Sequence, residues 1–193
     1  VNDIKNIDSI KNLNYLLNDK SCEKININQK DLEDKWIILN SEDKIIYEKV
    51  INNSMIKESR GILIYVSYGS EVSTLKLIDY FWKKNKIVAV PKVENGEINF
   101  YIVNSWDELK KGYKNILEPF SLNKLGNFNG FVSITPGICF NQSFYRIGYG
   151  GGYYDKFYQK YDLYKIGLCY KEMIVSEQFQ EERDIPVDEI ISD

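Results

Sequence analysis

Arg146-Ile-Gly-Tyr-Gly-Gly-Gly-Tyr-Tyr-Asp155 places four glycines (Gly148, Gly150, Gly151 and Gly152) within five positions, behind a cation and ahead of two tyrosines and a carboxylate. Upstream, Gly130-Phe-Val-Ser-Ile-Thr-Pro136 reads as a buried strand. Downstream, Tyr154, Phe157, Tyr158 and Tyr161 fall on one face of a helix. A glycine-rich turn between strand and helix exposes backbone N–H groups at the positive end of a helix dipole, which suits an anion. Glycine takes positive φ without steric cost and lets a ligand reach the backbone. Arg146 can grip a phosphate bidentately. Asp155 can hold a Mg²⁺ that rides on the phosphates. The plainer alternatives are a surface cation, and a carboxylate that only satisfies first-turn N–H groups. The stretch is not a Walker A loop, because no Gly-Lys-Ser/Thr follows. Nor is it the dinucleotide fingerprint, which needs a glycine where Tyr153 stands.

Working outward, the chain alternates strands with helices. Gly61-Ile-Leu-Ile-Tyr-Val-Ser67 reads as a buried strand, and Ser73 to Lys84 as an amphipathic helix with Leu75, Ile78 and Trp82 inward. Lys86-Ile-Val-Ala-Val90 is the next strand. Pro91 and Gly96 bracket a turn into an edge strand from Ile98 to Val103, and Asp107 to Lys111 reads as a short helix. Lys165-Ile-Gly-Leu-Cys-Tyr170 is another strand, and Glu189 to Ser192 a last short one. Before these, Lys30 to Glu58 shows helical periodicity, with Ser41 as an N-cap ahead of Glu42 and Asp43. Residues 1–28 form a weakly helical N-terminal extension, and residues 29–193 a single domain. The expected fold class is α/β: a three-layer αβα sandwich around a mainly parallel, Rossmann-like sheet. Ligands of such sheets bind beyond the carboxyl ends of the strands. Both the glycine loop and the Ser67–Thr74 loop lie there.

Composition narrows the chemistry. The chain has 193 residues, enough for one well-buried core. Its net charge of −3 argues against general nucleic-acid binding. No apolar run approaches the roughly 20 residues of a membrane span, and no cleavable signal pattern opens the chain. Cys22, Cys139 and Cys169 are odd in number and far apart, with no metal or disulfide pattern. A cytoplasmic location fits them. There is no histidine, so imidazole catalysis and His-bound zinc are excluded. Carboxylates, Lys, Arg, Tyr, backbone and a bound metal remain.

The longer segment Pro136-Gly-Ile-Cys-Phe-Asn-Gln-Ser-Phe-Tyr-Arg-Ile-Gly-Tyr-Gly-Gly-Gly-Tyr-Tyr-Asp-Lys-Phe157 resembles the signature of the 5-formyltetrahydrofolate cyclo-ligases, also called methenyltetrahydrofolate synthetases. Tyr65-Val-Ser-Tyr-Gly-Ser-Glu-Val-Ser-Thr74 and Arg183-Asp-Ile-Pro-Val-Asp-Glu-Ile190 are similar to two further segments of that family, in the same order and spacing. The resemblance implies a ligase of one-carbon metabolism. It would close 5-formyltetrahydrofolate to the 5,10-methenyl form, with ATP as co-substrate and Mg²⁺ as cofactor, through phosphorylation of the formyl oxygen. It implies small-molecule partners only, the reduced folate and ATP, with neither nucleic acid nor membrane; a monomer is expected.

Carried over position by position, the resemblance gives Arg146, Tyr153 and Asp155 catalytic roles. ATP would meet Lys30, Arg146, Ile147, Gly148, Tyr149, Gly150, Gly151, Gly152, Tyr153 and Tyr154. The folate would meet Val66, Glu71, Tyr149, Gly150, Gly151, Gly152 and Tyr153, and the metal Asp155 and Asp188. Read on pattern alone, Val66 and Tyr154 are core residues, Glu71 a solvated loop charge and Asp188 a turn residue. Lys92, Tyr101 and Trp106 are further candidate pocket walls. The chain departs from the family in Gln29-Lys-Asp-Leu-Glu-Asp-Lys-Trp-Ile-Ile-Leu39, where Glu33 and Trp36 stand near expected arginines. The alternative is therefore a catalytically impaired member that binds folate or nucleotide without turnover.

Overall fold

The computed structural model describes residues 40–112, 116–120 and 123–193. Four α-helices lie in them: α1 (Ser41–Asn52), α2 (Ser54–Glu58), α3 (Leu75–Lys83) and α4 (Tyr153–Tyr158). The strands in chain order are β1 (Gly61–Ile64), β2 (Ile87–Glu94), β3 (Glu97–Ile102), β4 (Leu109–Lys111), β5 (Leu117–Pro119) and β6 (Phe131–Thr135). They continue as β7 (Cys139–Asn141), β8 (Arg146–Ile147), β9 (Tyr164–Leu168), β10 (Ile174–Val175) and β11 (Glu189–Ile191). The expected N-terminal extension, Lys30 and the Gln29–Leu39 stretch lie outside the described residues.

The central sheet has six strands in the order β11-β9-β6-β1-β2-β3. Every neighbouring pair in it is parallel except β2 and β3. That edge pair is a hairpin closed by Asn95-Gly96, both at positive φ (52° and 78°), the geometry a two-residue hairpin turn demands. Pro91, expected at the turn, lies inside β2 opposite Phe100. It sits beyond Ala89, the last β2 residue paired with β1, so its missing N–H interrupts no bond to that strand.

Side chains alternate across the sheet, and two cores follow. Ile62, Ile64, Val88, Val90, Val132, Ile134, Ile166 and Leu168 face one core with Ile46 and Val50 of α1, Ile56 of α2, and Leu77, Ile78 and Phe81 of α3. Leu63, Ala89, Phe100 and Phe131 face the other with Phe157 and Tyr158 of α4. Helices therefore cover both faces of the mainly parallel sheet, as the α/β reading expected.

Three local expectations change. Asn40, not Ser41, caps α1: its side chain accepts the Asp43 N–H at 2.6 Å. Asn53 divides the expected long helix, and its side chain caps α2 through the Ile56 N–H at 3.2 Å. Asp107–Lys111 is not a helix; a 3₁₀ turn over Trp106–Glu108 leads into β4, which pairs with β5. Among the described residues, no helix is long and apolar enough to cross a membrane.

Candidate active site

Two loops at the carboxyl ends of the parallel strands carry the site. The first joins β1 to α3. Thr74, fully buried, braces it: its hydroxyl donates to the Tyr65 carbonyl at 2.7 Å and accepts the Ser67 N–H at 3.0 Å. The Ser67 hydroxyl accepts the Thr74 N–H in return, and the Tyr65 hydroxyl donates to the Val72 carbonyl at 2.9 Å. Within this rigid frame, Glu71 folds back and accepts the Tyr68 N–H at 2.8 Å. Burial raises its carboxyl from 4.5 to about 7, and the Tyr68 N–H offsets only part of that. Glu71 is thus a largely buried carboxyl beside a cavity, not the solvated loop charge that its pattern alone suggested.

Asp43 of α1 holds the same loop from outside. Its Oδ1 accepts the Ser73 N–H at 3.1 Å and the Tyr170 hydroxyl at 2.9 Å. Burial, and then this bond, push the Tyr170 phenol up. Asp43, Glu71, Ser67 and Tyr170 line a cavity of about 940 Å³. No motif pointed to Asp43 or Tyr170, because their partners lie in distant parts of the chain.

The second loop is Gly148–Gly152. It does not leave β6 directly; the β7–β8 hairpin intervenes, with Phe140 opposite Arg146 and Cys139 opposite Ile147. Gly150 and Gly152 sit at φ 84° and 58°, where a Cβ would be strained. No N–H from Gly148 to Tyr154 donates to an acceptor among the described residues. The loop lines a cavity of about 810 Å³ together with Tyr153, Tyr154 and Asp155. Glu181 and Asp184 reach the same cavity; they lie in the C-terminal segment but were not singled out in the sequence.

Arg146 reads differently from its sequence expectation. Its side chain is only 6% exposed. It donates through Nη1 to the Ile185 carbonyl at 2.9 Å and through Nη2 to Asp155 at 2.8 Å, and it lies over the rings of Tyr154 and Tyr158. Asp155 Oδ1 also accepts the Ile185 N–H at 3.1 Å. Arg146 and Asp155 thus clamp the C-terminal segment to the start of α4.

Asp188 faces Lys165, accepting its backbone N–H and its ammonium, each at 2.7 Å. It lines neither large cavity, whereas Asp155 lines the second. Among the described residues, no group of three or more Cys, Asp or Glu side chains could hold a metal.

The remaining expected residues divide. Val66 is buried in the first core, and Tyr154 packs edge-on against Phe100 with its hydroxyl buried and without a partner. Val66 thus sits in the core as its pattern alone suggested, and Tyr154 joins the second core while also lining the loop cavity. Tyr149, 65% exposed, and Tyr153 stand at the cavity mouth. Desolvation, and then the charge of Glu71, raise the Tyr149 phenol, so the two loops sense each other. Lys92 pairs with Glu94, which also accepts the Tyr101 hydroxyl, and the Trp106 indole donates to Asp79. None of these three candidate walls lines either large cavity.

A parallel sheet with an anion-ready glycine loop and a near-neutral carboxylate at one end defines an α/β enzyme. The model of the 5-formyltetrahydrofolate cyclo-ligase family matches residues 23–193, and the chain belongs to that family. It is 30% identical over 169 residues to a mitochondrial 5-formyltetrahydrofolate cyclo-ligase of Arabidopsis thaliana, covering 76% of this chain and 61% of that one. It is 26% identical over 166 residues to a probable 5-formyltetrahydrofolate cyclo-ligase of Caenorhabditis elegans, covering 78% and 81%. Its fold matches the NMR structure of the 5,10-methenyltetrahydrofolate synthetase of Aquifex aeolicus with a TM-score of 0.72 at 25% identity, over 94% of this chain and 86% of that one.

Proposed function

We propose that this protein converts 5-formyltetrahydrofolate to 5,10-methenyltetrahydrofolate, with ATP as co-substrate and ADP and phosphate as co-products. Family membership supports the carbon chemistry. The observation that carries the nucleotide part is the glycine loop, whose N–H groups from Gly148 to Tyr154 find no acceptor among the described residues. The γ-phosphoryl group passes to the formyl oxygen. N10 then adds to the activated carbon and closes the ring, giving up its proton; the carbon–oxygen bond breaks, and phosphate leaves with that proton. A formamide oxygen is a poor nucleophile, so holding it in line with the phosphoryl group is the main task.

The residues take these parts. Ile147, Gly148, Tyr149, Gly150, Gly151 and Gly152 present backbone to the phosphates and stabilise charge as it develops. Tyr149 and Tyr153 flank the bound ligands. Glu71 accepts from the ring and amino N–H donors of the pterin. Arg146 acts as a positioning residue through Asp155 and the Ile185 carbonyl. The donor set fits a Mg²⁺ held chiefly by phosphate oxygens, since such ions need only one or two protein carboxylates. Asp155 lines the loop cavity and would hold it; Asp188 would have to exchange Lys165 for the ion. When bound, Mg²⁺ offsets charge on the phosphates. Free, buried Cys139 and Cys169 fit a reducing cytoplasm.

The test is absorbance at the methenyl-folate band, with purified protein, 5-formyltetrahydrofolate and Mg²⁺, with and without ATP. A rise that requires ATP is expected. A flat trace from folded protein that still binds folate by calorimetry would overturn the reading and leave a relative that binds without turnover.

A further inference from the structure

The loop that carries Glu71 is tied mostly by its own residues. Ser67 and Thr74 close its base, and the Tyr65 hydroxyl holds the Val72 carbonyl. At the tip, Tyr68 to Glu71 form a reverse turn: the Tyr68 carbonyl accepts the Glu71 N–H at 3.3 Å, and Gly69 sits at φ 63°. Among the described residues, one side-chain bond to this loop comes from outside Tyr65–Thr74, and it is the bond from the Ser73 N–H to Asp43. Asp43 is held on two sides. Asn40 accepts its N–H at 2.6 Å. The Tyr170 hydroxyl donates to its Oδ1 at 2.9 Å, and the Asn40 side chain bonds that hydroxyl in turn. Side chains from the start of α1 and from the segment after β9 thus close a polar ring against the loop, and a satisfied network of this kind rigidifies what it touches. Asp43 also puts negative charge at the N-terminus of α3, where Thr74, its hydroxyl spent on Tyr65 and Ser67, makes no cap bond. At its place on the buried face of α1, with Ile46 and Val50, a carboxylate costs desolvation that an apolar side chain avoids.

We propose that Asp43 and Tyr170 are a positioning pair for the folate, acting through Ser73 to hold Glu71 toward the cavity before substrate arrives. The inference rests on the proposed function for the identity of the substrate. Glu71 is two residues from Ser73, and Asp43, Glu71 and Tyr170 line the same cavity. A loop set in advance spares the ordering cost that binding otherwise meets. Loss of the brace therefore weakens folate binding. It leaves ATP, which the Gly148–Gly152 loop serves, largely unaffected.

The experiment measures 5-formyltetrahydrofolate binding by calorimetry without ATP, together with KM for folate and for ATP, in the full chain and in Asp43→Ala, Asp43→Asn and Tyr170→Phe. Asp43→Ala should raise Kd and KM for folate about tenfold and change KM for ATP by less than about twofold. Asparagine keeps an oxygen that accepts from both Ser73 and Tyr170, so Asp43→Asn should recover most of the loss. Tyr170→Phe removes one donor and should fall between the two; it decides the matter should Asp43→Ala not fold. Action through Glu71 is read from a double-mutant cycle with Glu71→Ala, in which Asp43→Ala should add less than about twofold once Glu71 is gone. Full additivity overturns the proposal, because Asp43 would then meet the ligand itself. Unchanged folate binding in both Asp43→Ala and Tyr170→Phe overturns it too, as do equal rises in KM for folate and ATP, which mark general loosening. Hydrogen exchange reads the brace without ligand: the Ser73 amide should exchange faster in Asp43→Ala and not in Asp43→Asn, and unchanged exchange overturns the brace. Folate binding without ATP-dependent product would overturn the proposed function, and the calorimetric arm would then decide the positioning pair by itself.

Discussion

Glu71 sets the pH behaviour of the site. Burial raises its carboxyl to about 7, so the folded protein keeps a proton that the unfolded chain has already released. Stability from this group is complete below the unfolded value of 4.5 and is lost as pH rises through about 7. Glu71→Gln should therefore be more stable than wild type by about 2 kcal/mol at about pH 8 and equal to it near pH 4, by urea titration. The acid limb of kcat/KM, with its midpoint near 7, should vanish in the same variant. A wild-type profile flat across neutrality would remove Glu71 from substrate binding. Arg146 supplies a second residue-scale test. Asp155→Ala leaves its buried guanidinium with the Ile185 carbonyl as its remaining acceptor among the described residues, so unfolding free energy should fall by about 3 kcal/mol. An unchanged denaturation midpoint would mean that Arg146 is not held inward. The glycine cluster was legible in the sequence because its spacing is local, whereas Glu71 read on pattern alone as a solvated charge and was singled out only by the family resemblance. Asp43 was not legible, because it braces Ser73 from 30 residues away. The inward turn of Arg146 was hidden for the same reason, since the Ile185 carbonyl lies 39 residues downstream.

Among the elements, the glycine loop works through backbone geometry. Gly150→Ala meets open space but a φ of 84°. It should cost about 1 kcal/mol of stability, and raise KM for ATP by about tenfold through a displaced N–H. Equal KM values would show that this part of the loop does not meet the nucleotide. The main strands were readable because parallel strands covered on both faces appear as near-continuous apolar runs, as in Gly61–Ile64 and, interrupted by the buried hydroxyls of Ser133 and Thr135, in Phe131–Thr135. The pairs β4–β5 and β7–β8 were not, because strands of two or three residues carry no periodicity. Asp107–Lys111 misled because one buried residue, Leu109, fits either period.

In the molecule as a whole, the sheet separates two cores, and the second supports the active-site helix. Phe100 of β3 packs against Phe128, Tyr154 and Phe157. Phe100→Ala should cost about 3–5 kcal/mol and loosen α4. Hydrogen exchange at Lys156 and Gln159 should then rise above that of β1, whereas uniform exchange would show that α4 does not depend on this core. The alternation of strand and helix made this arrangement legible before any contact was known, since a parallel sheet must be covered on both faces. The central claim is that the formyl oxygen receives the γ-phosphoryl group. Its most direct measurement is the fate of an ¹⁸O label in the formyl group of 5-formyltetrahydrofolate during ATP-dependent turnover. The account predicts one labelled oxygen in each released phosphate. Methenyl product formed with unlabelled phosphate would contradict it.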